Sequence, residues 1–347
     1  MNDSRIPIHL LTGFLGSGKS TLLAAMLREP AMSSTAVIVN EFGEVGLDHL
    51  LITPGREDTI LLDSGCLCCM GNDDLQNTLM MLLARSRRGE IPVFHRVVIE
   101  TSGLADPAPV LQPLLADAFI ARNFVLGEIT TVVDAALGAA QLAQHPEARK
   151  QVAVADRLVL SKFDIVRATD AAATASQVLQ LNPRGTLSKS SLPILDAAAL
   201  LGIGQKRQAV STDAGRGDKI LDVARESGHV PAHRGNGRQL DGHDHSHGIA
   251  SFVFRPEEPI SWGAYAQWIS SLQAIDGTRL LRTKGLLRFD DGTLRVIQGV
   301  QHVFSTPTTY DGSDVEPFVI MIVQGLKKET LAPYALALMG QPAISSP

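Results

Sequence analysis

Cysteine is scarce in this chain, which contains three cysteines among 347 residues. All three lie in one short stretch, SGCLCCMGNDD, as Cys66, Cys68 and Cys69. A low, odd cysteine count excludes a disulfide-stapled secreted scaffold and indicates a reducing compartment, where thiols bind metals or take part in redox chemistry. The N-terminus, MNDSRIPIHLLTGFLG, lacks the basic leader and cleavage pattern of a signal peptide, so we expect a cytoplasmic protein that begins with a buried strand.

An excess of positive charge is also missing, as are long apolar runs. The 31 Lys and Arg residues are outnumbered by 36 Asp and Glu residues, which leaves a formal net charge of -5. This balance argues against a nucleic-acid partner, and no basic amphipathic stretch indicates binding to a membrane surface. No apolar run approaches the roughly 18 residues of a transmembrane helix. We therefore expect neither nucleic acid nor membrane among the partners.

Short apolar runs alternate with helix-like segments through residues 1–204. The runs are rich in Val and Ile and apolar on both faces, as are strands of a parallel sheet that helices cover. They read IPIHLLTG, TAVIVNEFG, RVVIETSG, ITTVVDA and RLVLSKFD. This alternation predicts a doubly wound α/β domain with a mostly parallel sheet.

The composition changes after residue 204. Residues 205–248 are polar and rich in Gly, Arg, Asp and His, so they can bury almost nothing and are predicted to form a flexible linker. Beyond them, strands are predicted at IASFVFRP, RLLRTKGLLRF, TLRVIQGVQHVF and PFVIMIVQGL, and helices at SWGAYAQWISSLQ and ETLAPYALALMG. Residues 249–347 are therefore expected to form a smaller α+β domain with a largely antiparallel sheet.

A phosphate-loop pattern follows the first predicted strand. The sequence GFLGSGKS at 13–20 fits Gly, four residues, Gly, Lys, Ser/Thr, and it stands between a strand and a helix as that motif requires. The glycines permit a tight loop whose backbone N–H groups point at phosphate oxygens. Lys19 would reach the β- and γ-phosphates, and the Ser20 hydroxyl would bind Mg²⁺. The expected nucleotide-binding residues here are Gly13, Gly16, Ser17, Gly18, Lys19, Ser20 and Thr21.

An acidic residue, Glu100, ends the apolar run of VVIETSGLADP. Open α/β sheets bind ligands at the carboxyl ends of their strands, and a phosphate-loop protein needs an acid there to hold Mg²⁺ or its water. The following Thr-Ser-Gly predicts a switch-like turn near the γ-phosphate. Lys19 and Glu100 are accordingly the expected catalytic residues.

The segment SKFD, from Ser161 to Asp164, is close to the Asn-Lys-x-Asp that guanine-binding GTPases carry after a strand. The Asp164 carboxylate can accept two hydrogen bonds from guanine, whereas adenine would leave it unpaired. The alkyl stem of Lys162 can lie over the base. Ser161 replaces the usual Asn and loses its amide, although a hydroxyl can still form a hydrogen bond. This segment favours GTP over ATP.

The three clustered cysteines predict a site for a soft or borderline metal ion, because thiolates suit Zn²⁺, Co²⁺ or Cu(I). An extended Cys-x-Cys would send Cys66 and Cys68 the same way and Cys69 elsewhere, so two or three thiolates would bind one ion. Tetrahedral zinc takes four ligands, and Glu41, after the second predicted strand, is a candidate for another. Such an incomplete shell suits transfer of the ion. A redox switch and simple packing of small apolar side chains are the alternatives.

A second group of metal ligands is predicted in the linker. DGHDHSHG contains His243, His245 and His247, and imidazoles two residues apart on a flexible chain can chelate borderline ions. We expect this segment to collect metal; the alternative is a solvated polar linker.

The order of these motifs resembles that of a known family. GFLGSGKST, VNEFGEVGLD, GCLCC, VIETSGLADP and SKFD occur as in the CobW-type metallochaperone GTPases, a SIMIBI-class family related to the nickel-insertion GTPases for hydrogenase and urease. KGLLRF and VIQGV are similar to its C-terminal domain. The resemblance implies a GTPase that binds zinc or cobalt and delivers it to a client protein or cofactor pathway. It also implies that the three cysteines lie on the metal motif, and Glu41 and Glu44 on an acidic switch segment.

The position of the cysteines, between the switch-like NEFGEVGLD and Glu100, predicts that GTP assembles the metal site and hydrolysis releases the ion. No arginine finger can be named, so we expect slow hydrolysis that metal, client or homodimerisation raises. One rival interpretation is a metal-buffering protein that uses its nucleotide site only as a conformational switch. The others are an ATP-using phosphate-loop kinase and a thiol redox protein.

Overall fold

The computed structural model describes residues 4–39, 60–63, 72–189, 197–201, 241–243, 248–256, 258–312, 315–327, 330–331, 333–334 and 338. The chain divides into two compact units, residues 1–207 and residues 208–347. The boundaries predicted at 204 and 248 remain predictions.

The described residues of the first unit form one parallel sheet of seven strands in the order β3-β2-β4-β1-β5-β6-β7. The strands are β1 (Ile6–Thr12), β2 (Thr35–Val39), β3 (Ile60–Asp63), β4 (Arg96–Glu100), β5 (Phe124–Asp134), β6 (Arg157–Ser161) and β7 (Thr186–Lys189). The helices are α1 (Lys19–Met26), α2 (Asn72–Arg87), α3 (Ala108–Ala116), α4 (Ala118–Asn123), α5 (Gly138–Gln144), α6 (Pro146–Val154), α7 (Ala168–Leu181) and α8 (Ala197–Leu201). The predicted doubly wound α/β fold is confirmed.

The sequence patterns identified five of these strands and missed two at the edges of the sheet. β7, with the sequence TLSK, is partly exposed along its length, and β3 has four residues. A short or polar edge strand lacks the Val- and Ile-rich run by which buried strands are recognised, because only one neighbour covers it.

The core under α1 sets the position of the phosphate loop. Apolar residues of the central strands pack against the inner face of α1; they are Leu11, Val37, Val98, Val132 and Val159 on the strands and Leu22, Leu23 and Met26 on the helix. The register also brings strand ends together, since Glu100 pairs with Leu11 on one side and Val39 on the other. The carboxyl ends of β1, β2 and β4 therefore meet at one edge.

The described residues of the second unit form an antiparallel sheet in the order β12-β11-β10-β14-β9-β8, with β13 beside β11. The strands are β8 (Asp241–His243), β9 (Ile249–Phe254), β10 (Leu280–Arg288), β11 (Leu294–Val300), β12 (Val303–Phe304), β13 (Thr308–Thr309) and β14 (Phe318–Gln324). The helix α9 (Trp262–Gln273) begins at Ser261, whose side chain accepts a hydrogen bond from the Ala264 N–H, and Trp268 on α9 is wholly buried against the sheet. The described residues within ETLAPYALALMG are helical. The predicted α+β domain is confirmed.

One short strand departs from the predicted linker. Asp241–His243 forms β8, and Gly242 pairs with Phe252 of β9. A strand at a sheet edge has unpaired backbone groups, so a polar segment can add to it by backbone hydrogen bonds without burying apolar side chains. The flexible linker predicted from composition was therefore wrong for residues 241–243, which form a strand.

Candidate functional site

The phosphate loop between β1 and α1 has the backbone geometry that its glycines predict. Gly13, Gly16 and Gly18 have φ angles of 146°, 73° and 90°, which side-chain-bearing residues rarely adopt. A Cβ on Gly13 would lie 2.2 Å from the Val132 carbonyl oxygen, so β1 and β5 could not approach as they do with any other residue there. Ser17 N–H donates to the Phe14 carbonyl at 3.1 Å, which closes the loop before α1 begins.

The two predicted catalytic residues are both neighbours of Ser20, Lys19 along the chain and Glu100 through a hydrogen bond. The Ser20 hydroxyl donates to Oε1 of Glu100 at 2.6 Å, and the Glu100 side chain is buried. The ammonium of Lys19 lies over the loop and donates to the Phe14 carbonyl at 3.4 Å. A hydroxyl and a carboxylate at the start of a helix and the end of a strand form the hard oxygen donor set that Mg²⁺ prefers. The predicted Ser20 and Glu100 pair thus fits that ion.

The SKFD segment is hydrogen-bonded to the phosphate loop. The Ser161 hydroxyl donates to the Ser17 carbonyl at 2.6 Å, and the Lys162 ammonium donates to the Gly16 carbonyl at 2.7 Å. The Ser161 hydroxyl can therefore form a hydrogen bond, as the sequence predicts, and its partner is the phosphate loop. Asp164 follows on the exposed loop after β6, where its carboxylate is accessible to a ligand.

Sequence reasoning missed Asp134, a buried carboxylate at the end of β5. Its Oδ2 pairs with the Lys162 ammonium at 2.9 Å, and its Oδ1 accepts from the N–H groups of Ala136 and Leu137 at 2.8 and 3.1 Å. These bonds hold Lys162, whose φ of 57° lies in the left-handed region, against the phosphate loop. The sequence did contain the signal, because the apolar run ITTVVD ends in an acid as the run before Glu100 does.

The turn after Glu100 lies directly against the phosphate loop. Thr101 N–H donates to the Leu11 carbonyl at 3.0 Å, and its hydroxyl donates to the Thr12 hydroxyl at 2.8 Å. Gly103 has no space for a side chain, since a Cβ there would lie 2.7 Å from the Cα of Leu15. The turn predicted to be switch-like thus begins in contact with the loop that would hold the phosphates.

Both units match known families. Residues 7–189 match the CobW/HypB/UreG nucleotide-binding domain, and residues 249–333 match the cobalamin synthesis protein cobW C-terminal domain. This chain belongs to the CobW family. The motifs quoted for the resemblance therefore stand in a CobW-family chain, in which the nucleotide-binding match precedes the C-terminal match.

Named relatives of this CobW-family chain are similar along most of its length. It is 31% identical over 326 residues to a protein named zinc chaperone YjiA of Escherichia coli (strain K12), an alignment that covers 93% of this chain and 94% of that one. It is 26% identical over 351 residues to zinc-regulated GTPase metalloprotein activator 1 of Schizosaccharomyces pombe, covering 93% and 83%. The solved structure of Zn(II)-bound YjiA GTPase from E. coli aligns with a TM-score of 0.64 at 25% identity, covering 98% of this chain and 99% of that one.

Seven of the eight residues predicted to bind the transferred metal ion lie outside the described part of this CobW-family chain. They are Glu41, Glu44, Cys66, Cys68, Cys69, His245 and His247. His243 belongs to β8, of which the backbone alone is described. Within the described ranges, no three His, Cys, Asp or Glu side chains come together as a metal site would require.

The strands that lead to these segments end beside the nucleotide site. Val39, the last residue of β2, pairs with Asp63, the last residue of β3, and on its other side with Glu100. Glu41 follows Val39 by two residues and Cys66 follows Asp63 by three. The acidic and the cysteine segment therefore both leave the sheet at the edge where Ser20 meets Glu100.

None of the helices in the described part of the chain combines the length and apolar character of a membrane span.

Proposed function

We propose that this CobW-family protein is a GTP-hydrolysing metallochaperone that binds a transition metal, zinc or cobalt, and delivers it to a client protein or cofactor pathway under nucleotide control. The observation that carries this proposal is the common ending of β2, β3 and β4 at Val39, Asp63 and Glu100. That edge joins the Ser20–Glu100 pair to the chain segments that contain the acidic and cysteine residues. The names of the relatives, zinc chaperone and zinc-regulated GTPase, support zinc as the cargo.

In the proposed reaction, water displaces GDP from the γ-phosphorus of GTP and phosphate leaves. Bound Mg²⁺ supplies charge neutralisation at the β- and γ-phosphate oxygens, and Ser20 and Glu100 would hold it, Glu100 directly or through water. Lys19 donates to the same oxygens. Its bond to the Phe14 carbonyl is 3.4 Å long, and a charge-assisted bond to phosphate is stronger. The loop amides at 13–18 bind the remaining phosphate oxygens.

Guanine selectivity rests on the loop after β6. Asp164 would accept two hydrogen bonds from the base, and the Lys162 stem would lie along its face. Ser161 and Lys162 donate to adjacent carbonyls of the phosphate loop, so this base-binding loop and the phosphate site are directly joined. That contact supports the loop after β6 as the base-binding loop, and the Asp164 carboxylate on it favours GTP over ATP.

The cargo ion is assigned to two or three of Cys66, Cys68 and Cys69, with Glu41 completing the shell and Glu44 on the same acidic segment. His243, His245 and His247 would collect the ion beforehand. The cytoplasm, a reducing compartment, would keep these thiols available. Binding of GTP would order the acidic and cysteine segments around the ion, and hydrolysis would release them.

Anaerobic titration with Zn²⁺ and Co²⁺ tests this assignment, with a non-hydrolysable GTP analogue or GDP bound. We expect the wild type to bind more tightly in the analogue state, and Cys66→Ala/Cys68→Ala/Cys69→Ala to lose the tight site. His243→Gln/His245→Gln/His247→Gln should lower the number of ions bound and leave GTP hydrolysis intact. Substitution is preferable to deletion because residues 241–243 form β8.

Equal affinity in the two nucleotide states would contradict the coupling, and release would then depend on the client alone. Metal binding without GTP turnover would indicate the metal-buffering alternative instead. A reversible disulfide in the metal-free form would favour the thiol redox alternative.

A further inference from the structure

A buried glutamine on α6 holds the turn that follows Glu100. Gln151 is completely buried, and its Nε2 donates to the carbonyls of Gly103 and Ala105 at 3.2 and 3.0 Å. The neighbouring Lys150 pairs with Asp106 in the same turn at 2.7 Å. Two successive residues of α6 therefore bind the backbone and side chains of residues 103–106.

The helix pair α5–α6 also contacts the phosphate loop. The ring of His145, between the two helices, stacks on Phe14 with centroids 4.5 Å apart, and Gln141 donates to the Leu15 carbonyl at 3.4 Å. Gly103 in turn lies against Leu15. The two segments that flank the γ-phosphate position thus contact each other and rest on one helix pair.

The chemistry of Gln151 indicates that its side chain contributes to the site through hydrogen bonds rather than through packing. Burying an amide costs free energy that an apolar side chain of similar size would not incur, unless hydrogen bonds offset it. The Oε1 of Gln151 has no hydrogen-bond partner among the described residues, so the amide is only partly compensated. Its two donor bonds both end on the turn after Glu100.

We propose that Gln151 is a positioning residue for GTP hydrolysis: it holds residues 103–106 against the phosphate loop so that Glu100 and the turn face the γ-phosphate. This inference rests on the proposed GTPase activity. GDP has no γ-phosphate, so loss of Gln151 should affect the hydrolysis step and spare GDP binding. A displacement of about 1 Å in a reacting site can lower the rate about a hundredfold.

Asn182 provides a matched control. It is a buried amide too, and its Nδ2 donates to the carbonyls of Val152 and Ala155 at 2.8 Å each, at the C-terminal end of α6. Replacing either residue by Leu removes a buried amide that donates to two carbonyls, and at Asn182 also the bond that its Oδ1 accepts from the Gly185 N–H at 2.9 Å. Gln151 contacts the turn after Glu100, and Asn182 contacts the C-terminal end of α6.

The experiment compares single-turnover GTP hydrolysis, GDP affinity and thermal unfolding for Gln151→Leu, Asn182→Leu and the full-length wild type. We expect Gln151→Leu to lose about tenfold to a hundredfold in hydrolysis rate with GDP affinity within about twofold of wild type. Asn182→Leu should lower the unfolding temperature and keep the rate at temperatures where it is folded. A wild-type rate in Gln151→Leu, an equal loss in both variants, or a parallel loss of GDP affinity would overturn the proposal.

Gln151→Glu gives a readout that a purely structural role would not produce, and it serves if Gln151→Leu does not fold. In this variant a protonated carboxyl keeps one hydrogen-bond donor for the turn. An ionised carboxylate has no donor and would face the two carbonyl oxygens of the turn. Burial raises the pKa of such an acid. The hydrolysis rate should therefore fall as pH rises, relative to the wild type, which has the same charged neighbours Lys150 and Asp106 and the same His145. Asn182→Asp should follow the wild-type profile.

A flat ratio of Gln151→Glu to wild-type rates across pH would overturn the inference. Absence of GTP hydrolysis in the wild type would instead contradict the proposed function itself, so the two failures are distinguishable.

Discussion

A single buried carboxylate, Asp134, holds Lys162, the lysine proposed to lie along the base. It is 1% exposed and links Lys162 to the backbone of residues 136–137, while Lys162 also reaches the Gly16 carbonyl. A buried acid is stable as a charge only when paired and hydrogen-bonded, and Asp134 has both kinds of partner. Lys162 is consequently held in place without a nucleotide, which would lower the entropy cost of the proposed contact with the base.

Asp134→Asn should weaken guanine nucleotides more than adenine nucleotides. The amide oxygen can still accept from Ala136 and Leu137, but the charge that holds Lys162 is lost. We expect GDP affinity to fall about tenfold, because one charge-assisted hydrogen bond is lost, and ADP affinity to change little. Fluorescent analogues of GDP and ADP would measure both affinities.

The double variant Asp134→Asn/Lys162→Met shows whether Asp134 acts on GDP binding through Lys162 or through the fold of the whole site. It should bind GDP no more weakly than Lys162→Met alone. Additive losses, or an equal weakening of GDP and ADP in Asp134→Asn, would mean that Asp134 acts on the fold of the site.

At the scale of elements, the β10–β11 hairpin has a polar turn that joins it to α9. Asp291 accepts hydrogen bonds from the Thr293 N–H and hydroxyl at 2.9 and 2.6 Å, and pairs with Arg295 through both oxygens at 3.0 and 2.6 Å. The Arg295 guanidinium lies over the rings of Trp262 and Phe289, 4.9 and 4.7 Å from their centroids. The turn thus orders the start of α9 through one arginine.

This turn predicts a pH dependence for the stability of the second unit. Arg295 first, and then Thr293, hold the pKa of the Asp291 carboxyl well below its usual range. A lowered folded-state pKa contributes stability that is present above the unfolded value of about 3.9 and is lost as pH falls through the folded value. Asp291→Asn should therefore unfold at a lower temperature than wild type at pH 7, and the difference should shrink as pH falls below about 4.

Tryptophan fluorescence can follow this unfolding, because both tryptophans of the chain, Trp262 and Trp268, lie on α9. Asp290→Asn is the control, since it removes the same charge one residue earlier. The bonds to Thr293 and Arg295 belong to Asp291 and stay in this variant. Equal unfolding temperatures for the two variants at pH 7 would contradict the role of the turn.

At the scale of the whole molecule, exposed apolar residues surround the nucleotide edge of the first unit. They are Leu15, Leu104, Leu137 and Ile165, which are 52%, 51%, 56% and 77% exposed. Each stands on a loop that follows a strand, after β1, β4, β5 and β6 respectively. Apolar residues grouped around a site favour association, and the homodimer expected from the sequence would bury them.

We expect the protein to be a dimer with Mg²⁺ and a non-hydrolysable GTP analogue and a monomer with GDP, as light scattering would measure. Leu137→Ser/Ile165→Ser should weaken the dimer by removing apolar area from the interface. Val93→Ser is the matched control, because Val93 is 61% exposed but precedes β4, at the opposite end of that strand. A monomer in both nucleotide states, or equal weakening by Val93→Ser, would contradict this assignment.

The sequence by itself determined the fold class and predicted the nucleotide residues. Strands with both faces apolar, a glycine loop between a strand and a helix, and an acid at a strand end are local patterns, because each follows from the backbone and burial of consecutive residues. From them came the α/β class, the antiparallel C-terminal sheet, and the roles predicted for Lys19, Ser20 and Glu100.

Tertiary structure alone decided which distant side chains meet. Asp134 and Lys162 are 28 residues apart, and Gln151 binds Gly103 across 48 residues. Those contacts depend on strand order and register, which place β5 between β1 and β6 and put α6 behind the turn after β4. The edge strand β8 depends likewise on the free edge of β9. Hydrogen-bond partners over such separations are set by packing of whole elements, and no local pattern encodes them.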